Sequence, residues 1–113
     1  MVEKPKTSYL NSAIKIIIAI ANNIVANTTG VSIDVSSQSQ SYGYGHLNKN
    51  RSSMVHIFPD QSVLIDMVIS VSFGISIPDI VAHIEQKIKD EVERETRFKV
   101  QKINMHVLNV IFN

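Results

Sequence analysis

VLIDMVISVSF, residues 63–73, alternates with a period of two. Val63, Ile65, Met67, Ile69, Val71 and Phe73 fall on one side. Leu64, Asp66, Val68, Ser70 and Ser72 fall on the other. Such alternation over eleven residues predicts a long strand with one apolar face against a core. Before it, Met54 to Phe58 predicts a second strand. Pro59, Asp60, Gln61 and Ser62 predict the turn between the two, because Pro presets φ and Asp bonds back to the backbone. The two strands therefore form an antiparallel hairpin.

Gly74 ends the long strand. Ser76, Pro78 and Asp79 then mark a helix start: a capping hydroxyl, a proline in the first turn and an acid at the positive end. Ile80, Ile84, Ile88 and Val92 recur every four residues, so this helix, running to about Thr96, lays one stripe on a sheet. Its other side is charged. Glu85–Lys89, Asp90–Arg94 and Glu93–Arg97 have the i, i+4 acid-before-base spacing, which predicts weak surface pairs on a solvated face. Lys99 to Phe112 predicts a last strand. Ile103, Met105 and Val107 face one way with Gln101; Val100, His106, Leu108, Val110 and Phe112 face the other. From Val107 onward both faces are mostly apolar, which predicts cover by the first helix or by another subunit. A strand–helix–strand unit favours parallel pairing.

Working toward the N-terminus, Val31, Ile33 and Val35 alternate with Ser32, Asp34 and Ser36, which predicts a short half-buried strand or an extended connection. Ile14, Ile17, Ile18, Ala21, Ile24 and Val25 follow helical spacing, with Ser8 or Ser12 as the cap, Ala26 near the end and residues 1–7 frayed. Gly30 is a plausible stop. Ser36 to Ser53, SSQSQSYGYGHLNKNRSS, is too polar to offset its ordering entropy and is read as a flexible loop. The order α-(β)-β-β-α-β predicts a small mixed sheet of three to four strands packed by two helices, an α+β fold in one domain over 1–113.

Composition narrows the function classes. The chain has 113 residues, no Cys and a net charge of +1. Lack of Cys excludes disulfides, thiolate zinc sites and cysteine nucleophiles. Residues 1–52 carry Lys4, Lys6, Lys15, Lys49 and Arg51 against Glu3 and Asp34, and residues 53–113 are slightly acidic. Neither half has the dense basic stripe of a nucleic-acid binder. Ile16 to Ile33 is free of charge, but Asn22, Asn23, Asn27, Thr28, Thr29 and Gly30 interrupt it. A spanning helix needs about 20 mostly apolar residues, so the segment reads as a buried helix and not as an integral membrane segment.

No constellation for catalysis emerges. His46, His56, His83 and His106 show no metal-ligand spacing, so neither a metal nor a cofactor is expected. Asp66 is the sole acid within a strand and has no second acid or nucleophile beside it in sequence; a solvent-facing or simply paired carboxylate is the favoured reading. There is no nucleophile-elbow GxSxG and no phosphate loop around Gly43-Tyr44-Gly45. Two surface features remain. Tyr42, Tyr44, His46, Lys49 and Arg51 interleave aromatic and basic groups, as stacking-plus-phosphate sites do, which makes an RNA-binding accessory role the alternative reading. Leu108, Val110 and Phe112 form an apolar rear on the last strand, the better docking candidate.

The stretch from Val63 to Val110 also carries a family resemblance. The strand running through Phe73-Gly74 into Ile77-Pro78-Asp79-Ile80-Val81, the charged helix after it, and Asn104, His106, Val107 and Val110 on the last strand resemble the alkaline-shock (envelope stress response) family of low-GC Gram-positive bacteria. The helix around Ile14 to Val25 followed by Gly30-Val31 is similar to that family's first helix. The loop is richer in Ser and Gln, Asn109 stands where Gly is common, and a long charged C-terminal tail is absent, so this is similar to a short form. The resemblance implies a non-catalytic, cytoplasmic protein that self-associates. It also implies peripheral association with the membrane through a membrane-anchored protein, or a link to a lipid-metabolism enzyme as a regulator of fatty-acid metabolism.

Overall fold

A computed structural model describes residues 3–33 and 53–112, with side chains from Tyr9 onward. The elements are α1 (Glu3–Ala26), β1 (Val31–Ile33), β2 (Ser53–Ile57), β3 (Ser62–Ser72), α2 (Ile77–Thr96) and β4 (Lys99–Ile111). The α+β class and the element order agree with the sequence reading. The segment 34–52, which carries most of the predicted loop, lies outside the described residues.

β3 is the central strand. β4 pairs with it in parallel along its whole length, from Ser62–Lys99 to Ser72–Ile111. The opposite edge is shared end to end: β2 pairs antiparallel with Val63 to Met67, and β1 pairs antiparallel with Ile69 to Val71. The hairpin turn behaves as its residues predict. Asp60 Oδ1 accepts from the Ser62 N–H (3.0 Å) and hydroxyl (2.7 Å). Both bonds favour the charged form and hold the Asp60 carboxyl below its usual value.

Both helices lie on one face of this sheet. Val63, Ile65, Met67, Ile69 and Val71 are fully buried beneath them, together with Ile17, Ala21 and Val25 of α1 and Ile84, Ile88 and Val92 of α2. Leu64, Asp66 and Val68 on the other face are only half-buried. Phe98, just after α2, is also buried and lies 6.3 Å from the Tyr9 ring. α1 packs on α2, β1 and β2. By composition its stretch Tyr9–Ala26 is long and apolar enough to enter a membrane, yet its inner stripe builds this core.

Several local expectations need correction. α1 does not begin at Ser8 or Ser12; it begins at Glu3. Pro5 falls in the first turn, where a missing N–H costs nothing. Ser53 is not loop: it opens β2, is nearly buried, and its hydroxyl donates to Asn22 Oδ1 of α1 at 2.6 Å. Ser76 occupies the cap position of α2 without a side-chain capping bond. The three predicted ion pairs on α2 are replaced by Lys89–Glu93 (3.4 Å), Arg94–Glu91 (2.7 Å) and Arg94–Glu95 (3.6 Å). For the Glu93–Arg97 pair the cause lies at the helix end. Arg97 terminates the helix in the left-handed region with φ of 70°. Glu93 turns to accept the Val100 N–H at 2.8 Å, which ties α2 to β4 and holds the Glu93 carboxyl below its usual value.

β4 departs most from simple alternation. Its register shifts between Val63/Leu64 and between Ile69/Ser70 of β3, leaving Gln101 and Leu108 as extra residues. Each bulge reverses the parity that follows it. Val100, Ile103, Met105, Val107 and Val110 therefore sit opposite the buried residues of β3. Lys102, Asn104, His106, Asn109 and Ile111 sit opposite the open-face ones. The sequence reading had placed Val100 and Val110 on the face opposite Ile103, because strict alternation does not anticipate bulges.

Candidate interaction surface at the end of the last strand

At one corner of the sheet the ends of β3 and β4 lie side by side. Phe73 follows the last residue of β3, and Gly74 at φ of 97° turns the chain away. Phe73 thus leaves the buried row that alternation assigned it to and is 67% exposed. Its N–H donates to the Ile111 carbonyl at 2.7 Å. Its ring stacks on Phe112 with centroids 4.7 Å apart and planes 26° from parallel.

Leu108, Val110 and Ile111 complete the corner, and all three are exposed, as is Phe112 at 69%. Leu108, Val110 and Phe112 are each exposed near the end of β4, with Phe73 stacked on Phe112 and Ile111 also exposed, two residues that sequence reading did not assign to this surface. The expected cover by the first helix is not found: α1 lies over β1, β2 and α2. Among the described residues no element covers the corner. Scattered exposed apolar residues are ordinary on soluble proteins, but five near one strand end, on both sides of the sheet and including a stacked aromatic pair, make this end a candidate contact site.

Elsewhere the open face mixes Leu64, Val68 and the exposed Met54 with polar residues and offers weak chemistry. His106 Nε2 and Asp66 Oδ1 lie 3.6 Å apart, both well exposed to solvent. An exposed pair of this kind contributes about 0–1 kcal/mol when His is protonated. His56 contacts Phe58 edge-on at 4.6 Å. Among the described residues no group of three His, Asp or Glu side chains converges as a metal site would require. The groove between the helices is floored by Ile20 and Ile24 and rimmed by Lys87, Glu91 and Glu95, with no nucleophile and base in contact. Tyr42, Tyr44, His46, Lys49 and Arg51 lie outside the described residues. Their segment leaves the sheet at Ile33, opposite Ile69, and returns at Ser53, opposite Met67; both points are on the edge away from β4.

Comparison with known proteins places this architecture. A 54-residue stretch, 48% of the chain, is 30% identical to the uncharacterised protein YqhY of Bacillus subtilis (strain 168), and covers 40% of that protein's length. No solved structure matches. The alkaline shock protein 23 family, described as having a cell envelope-related function, matches across residues 2–112. The chain belongs to that envelope-related family.

Proposed function

We propose that this protein is a non-catalytic scaffold or adaptor of the envelope stress response, held at the cytoplasmic side of the membrane by protein contacts and able to self-associate. The observation that carries this reading is the open apolar corner of Phe73, Leu108, Val110, Ile111 and Phe112 on a chain of an envelope-related family. Burying such a patch against a partner releases about 25 cal/mol per Å² of apolar surface, so its exposure in the single chain is a standing drive toward contact. Beyond self-association, the partner class this reading implies is a membrane-anchored protein or a lipid-metabolism enzyme. Among the described residues the open face offers the exposed His106–Asp66 pair and no converging set that would favour an enzyme.

The test is fractionation of cells expressing the chain or its Leu108→Asp/Phe112→Asp variant. Both side chains are exposed, so the variant should keep the wild-type circular dichroism and melting temperature. Wild type should sediment with membranes and the variant should move to the soluble fraction by tenfold or more. Equal partition of the two folded proteins would remove the corner from the account.

A further inference from the structure

We propose that β4 pairs with β4 of a second copy of this chain, antiparallel across a two-fold axis, setting Val107 opposite Val110 and Met105 opposite Phe112. The proposal rests on the contact reading above and names the occupant of the corner. Three independent features of β4 point to it.

The first is an unguarded edge. β4 is the longest strand, and among the described residues only β3 pairs with it. Edge strands are ordinarily protected by charge, proline or shortness. From Ile103 to Phe112 there is no Asp, Glu, Lys, Arg or Pro. Lys99 and Lys102 stand at the other end of the strand. A two-fold pairing confined to Met105–Phe112 keeps them outside the paired region, so no lysine meets its counterpart.

The second is register. Residues opposite each other across antiparallel strands point to the same side of the sheet. The two bulges place Met105, Val107 and Val110 on the helix side and His106 and Ile111 on the open side. Alternation after Ile111 returns Phe112 to the helix side. The proposed pairing matches helix side with helix side at Val107–Val110 and Met105–Phe112, and open side with open side at His106–Ile111. A slip by one residue would set the two sides against each other throughout.

The third is backbone direction. The Ile111 carbonyl is taken by the Phe73 N–H, so it points toward β3. By alternation the backbone groups of Val110 and Phe112 point to the free edge. Those two residues are the ones the register sets opposite Val107 and Met105. The dimer would join two four-stranded sheets into one, with both helical layers on the same side and the two apolar corners merged about the axis.

Sedimentation equilibrium on the full chain tests this. Wild type should show a concentration-dependent dimer. Val110→Pro deletes an N–H that faces the free edge and leaves the pairing with β3 intact, so it should sediment as a folded monomer. A second variant covers the case in which that proline disturbs the fold. Val107→Cys/Val110→Cys, in a chain with no Cys of its own, should oxidise to a disulfide-linked dimer, because a hydrogen-bonded antiparallel pair has Cα atoms about 5.5 Å apart. The slipped pair Met105→Cys/Val110→Cys should not. A wild type monomeric at all concentrations, a dimer unaffected by Val110→Pro, or crosslinking of the slipped pair alone would overturn the proposal. Corner-dependent membrane sedimentation by a monomeric wild type would overturn β4 pairing while leaving the adaptor reading standing.

Discussion

Ile65→Ala should lower the free energy of unfolding by about 2–5 kcal/mol, the range for deleting a buried aliphatic side chain whose cavity only partly collapses. Ile65 is fully buried at the middle of β3, with Val55 beside it on β2 and Ile103 on β4. The neighbours are held by strand pairing on both sides and by helices above, so relaxation into the space is limited. Leu64, one residue earlier, points to the open face and is half-buried. Leu64→Ala should cost about 1 kcal/mol or less. Denaturant titration of the two variants reads the contrast directly. Equal losses would mean that both faces of the sheet are covered.

The second large effect belongs to Gly30. Its φ is +86°, a region where a side chain costs about 1–2 kcal/mol per residue. An added Cβ would also collide with the Ile75 side chain. The backbone has little room to move away, because the Gly30 carbonyl accepts the Ser72 N–H at 2.8 Å and so fixes the entry of β1 into the sheet. Gly30→Ala should therefore lose about 1–3 kcal/mol, the conformational cost plus that of turning the end of the Ile75 side chain aside. Gly74 is the internal control: its φ is +97° and nothing lies within 4 Å of an added Cβ. Gly74→Ala should pay the conformational cost alone. If the two melt alike, the contact with Ile75 is not what constrains the β1 junction.

These contrasts show where the sequence was informative. The period of two in Val63–Val71 and the spacing of four in Ile80, Ile84, Ile88 and Val92 were legible because each reports burial on one face, and both rows are buried as expected except Ile80, which is half-buried. Pro59-Asp60 and Gly74 marked turns whose backbone chemistry is local. What escaped was set by tertiary geometry. The bulges at Gln101 and Leu108 cannot be seen in β4 alone, since they arise from fitting its apolar residues to β3. Phe73 continued the apolar alternation, yet β3 stops one residue before it. Glu93 was expected to reach Arg97 along the helix; it bonds instead to the Val100 N–H, a partner that only the turn into β4 brings within reach. Of the candidate surface, Leu108, Val110 and Phe112 were readable as apolar residues without an obvious cover. Phe73 and Ile111 joined them only once the two strand ends were side by side.

The central claim is that the β4 corner is a contact surface, and site-specific photo-crosslinking in cells tests it most directly. A photoreactive residue placed at Phe112 should form adducts with an envelope protein or a second copy of the chain. The same group at Gln86, on the charged outer side of α2, should form none. Strong adducts at Gln86 with none at Phe112 would contradict the account and move the working surface to the helical layer.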